Sequence, residues 1–222
     1  MNTRLDHLVV AADTLEQGVA WCEATLGVVP GPGGRHALFG THNRLLKIAT
    51  AVFEDVYLEI IAIDPQAPAP ARPRWFGLDD PALRERLQAS GPQLVHAVAR
   101  SPQLDMHRWG LIQVGLQPGE PVKAGRDTPQ GPLAWEILVR PDGALLCGGA
   151  LPTLIQWQGR HPAQAMPASG LTLQALTLRG VPARAATVLR LRGVEVREAA
   201  DGPALQARLA TPRGEVTLSS AP

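Results

Sequence analysis

The chain opens on an apolar run, Leu5 to Ala12, rich in Leu and Val and closed by Asp13-Thr14. That pattern reads as a buried strand followed by a helix cap. Leu15, Val19, Cys22 and Leu26 then recur at helical spacing, and Gly27 suits the left-handed residue that ends a helix. Val28-Val29 starts a strand. Pro30 to Gly34 is a turn, and Ala37–Gly40, Arg44–Ala49 and Val56–Ile63 complete a β-α-β-β-β order. Pro65, Pro68, Pro70 and Pro73 make a stiff connector, and Asp80-Pro81 opens a short helix that Gly91 ends.

The same order returns twice. Leu94–Arg100 is a strand, Ser101 to Trp109 a helix closed by Gly110, and Leu111–Val114, Leu133–Val139 and Leu151–Trp157 are strands around a long polar loop, Pro118 to Pro132. Leu171–Arg179, a helix Pro182–Arg192 ended by Gly193, and strands at Val194–Glu198, Leu205–Ala210 and Glu215–Ser219 form a third copy. An internal repeat is a statement about the fold and precedes any motif. The expected architecture is α+β, with repeated βαβββ modules. Residues 1–65 and 92–168 pair around a cupped mixed sheet, 66–91 connect them, and 169–222 form a degenerate, ligand-free module.

A shift of 89 positions carries His7 onto His96 and Leu15 onto Leu104, so both histidines sit in the first strand of a module. Strand parity places His7 on the face of Leu5 and Val9, and His96 on that of Leu94 and Val98. A polar ring on an apolar face needs a partner or a ligand role. Glu59 is a lone carboxylate in the apolar last strand of the first module, and Gln156 takes the matching place in the second.

Leu5-Asp6-His7-Leu8-Val9-Val10 with Tyr57-Leu58-Glu59-Ile60-Ile61 resembles the first module of vicinal oxygen chelate proteins. Pro118-Gly119-Glu120-Pro121, Arg126, Trp135 and Leu151 to Trp157 resemble the second half of the glyoxalase-like branch. The resemblance implies a metal site of His7, Glu59, His96 and Gln156, with Gln156 standing where a glutamate is expected. Imidazoles and a carboxylate suit divalent Mn, Fe, Co, Ni or Zn, which would act as a Lewis acid on a substrate chelated through adjacent oxygens. Glu59 is the candidate general base. Arg126 is the candidate grip on an anionic group, and Trp75 a candidate pocket wall.

The implied function is a metal-dependent lyase or isomerase acting on a small oxygenated metabolite. Two alternatives stand beside it: an extradiol-type dioxygenase using a two-His, one-Glu iron site, and a protein that sequesters a small molecule without turnover.

The remaining features narrow the setting. Hydrophobic residues make up 45%, charged residues 18%, and the net charge is +1, so a packed core is expected and a nucleic-acid partner is not. Two distant cysteines, Cys22 and Cys147, suit reduced thiols in a cytoplasmic protein, with Cys22 in the core. No apolar run approaches a membrane span. Trp135 reads as core, and His36, His42, His107 and His161 as solvated turn or helix residues. An odd third module invites a homodimer, in which two copies cover each other's open sheet.

Overall fold

The computed structural model describes residues 2–221. The first module contributes β1 (Arg4–Ala11), α1 (Leu15–Leu26), β2 (Arg35–His36), β3 (Thr41–Lys47) and β4 (Tyr57–Ile63). The connector carries α2 (Pro81–Ser90). The second module supplies β5 (Gln93–Arg100), α3 (Leu104–Gln113), β6 (Glu120–Arg126), β7 (Leu133–Val139) and β8 (Thr153–Gln158). The third unit has β9 (Thr172–Arg179), α4 (Ala183–Leu189), β10 (Glu195–Arg197), β11 (Leu205–Thr211) and β12 (Gly214–Ser219).

The capping expectations hold at the first two helices. Thr14 accepts the Gln17 N–H to start α1, and Gly27 ends it at φ 74°. Asp80 caps α2, with Pro81 in its first turn.

Several local readings change. Val28-Val29 starts no strand, and Ala37–Gly40 is a turn that follows the short strand Arg35–His36. The helix α3 runs through Gly110 to Gln113, and no strand follows at Leu111–Val114. Gly110 is there because α4 crosses close by: a Cβ on it would lie 2.8 Å from Val188 Cγ1. The polar loop contains β6, an edge strand paired only with β7, where Pro121 costs no ladder bond on the free side. In the third unit, α4 stops at Leu189 and the left-handed residue that ends it is Arg190; Gly193, also left-handed at φ 74°, lies in the turn beyond.

Eight strands form one curled mixed sheet in the order β2-β3-β4-β1-β5-β8-β7-β6. In each of the first two modules the first strand lies parallel to the last: β1 to β4 and β5 to β8. The two halves meet where β1 pairs antiparallel with β5. That seam carries two bulges, at Asp6 and at Val95, which are one repeat apart. Each bulge slips the alternation by one residue. Leu5 and Leu94 therefore pack outside with Leu8 and Val10, while Val9 and Val98 face the hollow with Ile61 and Ile155. Simple parity had put Leu5 and Leu94 on the faces of His7 and His96.

The third unit shares the βαβββ order but not the pairing. Its sheet runs β10-β9-β11-β12, with β9 parallel to the strand directly after the helix. Its apolar face joins the outer core: Leu173, Leu178, Leu205 and Leu209 pack in one cluster with Leu8, Ile60 and Leu154. Backbone bonds from Thr3 to Leu189 and from Leu173 to Ile48 fasten it to the first module. The open sheet that suggested a homodimer is thus covered within the chain. No helix among the described residues is long and apolar enough to cross a membrane.

The grip of α1 on β4 yields a prediction. A Cβ on Gly18 would sit 2.4 Å from Ile60 Cγ2 and 3.1 Å from Ala12 Cβ. Gly18→Ala gains about 1 kcal/mol of helix propensity, but the overpacking it forces costs about 1–3 kcal/mol. Urea unfolding should show net destabilisation of up to about 2 kcal/mol; a stabilised variant would mean that α1 can move outward freely.

Candidate functional site

The inner pocket lies in the mouth of the curled sheet, and the first module supplies its polar side. His7, Tyr57 and Glu59 come from β1 and β4, Asn43 and Leu45 from β3, and His36 from β2. Trp75 and Phe76 of the connector, Trp135, Ile137, Ile155 and Trp157 form apolar walls, and Arg126 reaches in from the end of β6. The space left free is about 30 Å³, room for about two waters. A ligand of metabolite size must displace side chains at the mouth.

A chain of hydrogen bonds organises the polar side. Asp6, at the bulge, has no solvent exposure and holds three donors. His7 Nδ1–H donates to Oδ1 at 2.7 Å; His161 Nε2–H and Trp157 Nε1–H donate to Oδ2 at 3.0 and 2.9 Å. His161 Nδ1 accepts the Ala163 N–H, which fixes the proton on Nε2. His7 Nε2 then faces Glu59 Oε2 at 3.5 Å, and its ring stacks on Tyr57 with centroids 4.6 Å apart. Asn43 Nδ2 donates to Glu59 Oε1 at 2.6 Å, and Asn43 Oδ1 accepts from Gly34 N–H and from Arg126 Nη1 at 3.3 Å. Gly33 and Gly34 permit this closure: a Cβ on Gly33 would lie 1.9 Å from Asn43 O, and one on Gly34 2.2 Å from Arg126 Nη1.

The electrostatics follow from burial set against pairing. Burial pushes the His7 proton off, but hydrogen bonds to Asp6 and Glu59 outweigh it and raise its pKa to about 9. Burial favours neutral Asp6, yet the bonds from His161 and His7 hold it well below the usual carboxylate range. Glu59 is also lowered, with burial overcome by His7. Neutral His36 is favoured by burial, which takes it down to about 4. At neutral pH the site is therefore an imidazolium between two carboxylates.

The second module repeats the geometry without the charge. The residue equivalent to Glu59 is set by register: Val9 pairs with Glu59, and Val98, one repeat on, pairs with Thr153. Asp6, His7 and Glu59 thus correspond to Val95, His96 and Thr153. His96 Nε2 accepts the Thr153 N–H at 3.1 Å and lies 2.9 Å from Thr153 Oγ1, and Nδ1–H donates to Gly149 O at 2.8 Å. Both ring nitrogens are used, and Phe76 lies against the ring, with centroids 5.5 Å apart. Burial lowers the His96 pKa to about 4.

Gln156 points away from the pocket that its neighbours Ile155 and Trp157 line, and its Oε1 accepts the Leu104 N–H that starts α3. Of the expected ligands the structure brings His7 and Glu59 together, and leaves His96 and Gln156 in other bonds. Among the described residues no three His, Cys, Asp or Glu side chains converge on a metal-sized site. The donors present therefore do not fit the implied four-ligand ion.

The architecture and its seam of paired first strands agree with a match to the glyoxalase-like domain model over residues 5–194. The chain belongs to that family. It is a glyoxalase-like protein of the vicinal oxygen chelate superfamily. No curated protein sequence matches it. Among solved structures, a hypothetical protein from Staphylococcus aureus is similar over 100% of this chain and 87% of its own, with 14% identity and a TM-score of 0.59. Methylmalonyl-CoA epimerase from Streptomyces coelicolor aligns over 71% of this chain and 94% of its own, at 17% identity and a TM-score of 0.42. The Mycobacterium tuberculosis epimerase gives 73%, 91%, 15% and 0.40.

Several residues of the glyoxalase-like site escaped the sequence reading. Asp6 was given no role within the apolar run Leu5 to Ala12, and His161 and His36 were read as solvated residues. Trp135 is buried core, as read, and also forms a wall of the pocket. The adjacency of Asp6 to His7 was a usable signal; the contacts of Asp6 with Trp157 and His161, over 150 residues away, had none. His107 is likewise buried, paired with Ser101. Cys22 is buried as expected, and both cysteines are free.

The pH dependence of stability follows from these shifts. A raised His7 pKa stabilises the folded state fully below its ordinary 6.5, and that contribution is lost as pH climbs through about 9. Lowered Asp6 and Glu59 act above their ordinary pKa values and are lost on acidification. Urea midpoints should be highest at roughly pH 5–6.5 and decline toward 9, and His7→Asn should flatten the alkaline limb. An unchanged limb in that variant would remove His7 as its source. His96→Ala should cost about 2–3 kcal/mol by stranding Gly149 O and the Thr153 N–H. Calorimetric titration with Mn, Ni or Zn should be unaltered by it; weakened metal binding would return His96 to the ligand set.

Proposed function

We propose that this protein is an isomerase or lyase that moves a proton on a small oxygenated anion. The observation that supports this is the His7–Glu59 pair, oriented by Asp6 and facing an apolar-walled pocket across which Arg126 points inward. Removing a proton beside a carbonyl needs a base and a donor for the oxygen on which charge develops. Glu59 is the base. His7 Nε2–H supplies the donor, its position held by Asp6. A substrate oxygen that takes the Nε2–H bond from Glu59 also removes the partner that keeps Glu59 weakly basic. Arg126 pairs with the substrate's anionic group. The indole and phenyl walls exclude water, which strengthens each of these interactions.

Among the described residues the divalent ion implied by the family resemblance finds only His7 and Glu59 of its expected donors assembled, and no step above depends on it. The dioxygenase alternative needs a second free histidine, and His96 has neither nitrogen free. Sequestration without turnover is the second reading, supported by the three indoles and Phe76 around the pocket.

The test is hydrogen exchange in D2O, followed by NMR, over a panel of small α-hydroxy and α-keto acids. The wild-type protein should exchange the proton next to the carbonyl. Glu59→Gln should slow exchange by about 100-fold or more, and Asp6→Asn by about 10-fold. Equal rates in wild type and Glu59→Gln would sink the proton-transfer reading. Acids that bind but never exchange would favour sequestration.

A further inference from the structure

A second hollow adjoins the inner pocket, with a free volume of about 350 Å³. Leu45, Arg126 and Pro162 line both, so the two hollows adjoin across these three side chains. Asn43, Leu45 and Lys47 follow one another on one face of β3; the first two line the inner pocket, the last two the outer groove. Pro32 and Met166 add apolar surface, and Lys47 and Arg160 add charge beside Arg126.

No Asp or Glu lines the groove. Among the described residues none of its three cations has a carboxylate within ion-pair distance, although nine other arginines do. Uncompensated like charges held around an apolar floor repel one another and make a positive potential that an anion relieves. Each step of two residues along β3 advances about 7 Å, so Lys47 lies one such step beyond Leu45.

We propose that this groove is the second half of the binding site, and that the substrate is a bipartite anion. An oxygenated head enters the inner pocket past Arg126. An apolar tail lies along Leu45, Pro32 and Met166 and ends in an anionic group held by Lys47 and Arg160. This rests on the inner pocket being the reaction site, and it adds the class of molecule delivered to it. It also accounts for the cramped inner pocket: only the head has to fit there.

The test is calorimetric binding, which needs no turnover. The probes are azelate, a nine-carbon dicarboxylate; 8-phosphonooctanoate, whose far end is a phosphonate; and propionate, which is the head alone. Azelate or the phosphonate should bind wild-type protein at least tenfold more tightly than propionate, and the tighter of the two identifies the terminal group. Lys47→Ala/Arg160→Ala should lose at least tenfold on that probe. Arg44→Ala, the loss of one charge at an exposed position on the other face of β3, should stay within twofold. Long probes no tighter than propionate, or a loss under threefold in the double variant, overturns the groove. Exchange and binding together separate the two ideas: exchange lost in Glu59→Gln with long-probe binding retained leaves the groove standing, and normal exchange by the wild-type protein with no long-probe preference rejects the groove alone.

Discussion

Asp6 is a carboxylate with no solvent exposure at the seam where the two halves of the sheet join. Such a charge is unfavourable by several kcal/mol unless its oxygens are paired and hydrogen-bonded. Its three donors come from β1, from β8 and from the turn after β8. Satisfying one carboxylate therefore fixes the second module's last strand against the first module's first strand. The same bonds set which His7 nitrogen faces Asp6 and which is presented to Glu59.

The bulge makes this possible. An unbroken β1 would put Asp6 and His7 on opposite faces of the sheet. The extra residue turns Asp6 inward beside His7 while Leu5 stays in the outer core. The second module keeps the bulge and the histidine but has Val95 and Thr153 where the first has Asp6 and Glu59. Without carboxylates a buried imidazole is neutral, and it closes on backbone groups. One half of the pseudo-repeat thus carries charge and faces the pocket, while the other staples β5 to β8 and the Gly149 turn. The connector enforces this division, because Phe76 lies against His96 while Trp75 lines the inner pocket.

Much of the fold was legible in the chain. The three-fold βαβββ order and the helix caps at Thr14, Gly27 and Asp80 depend on local chemistry and periodicity, whereas the pairing of His7 with Glu59 was legible only through the family resemblance. These signals act over a few residues and survive without tertiary context. The misreadings share a cause. Gly110 looked like a helix end because a glycine's reason for being in a helix, here the approach of Val188, lies on another element. Gln156 was matched to Glu59 by counting along the strand, whereas register with β5 selects Thr153.

The sequence by itself determined the order of helices and strands along most of the chain and, through the family resemblance, that His7 and Glu59 belong to one site, since caps and strand patterning act over a few residues. Only the tertiary structure decided how those elements pair, that His96 is consumed by its own module, and that Asp6, Trp157 and His161 meet. Those outcomes depend on the bulges, on strand register and on contacts over more than 150 residues. A hydrogen bond across that separation leaves no periodic trace in the chain, because either partner's neighbours would look the same without it.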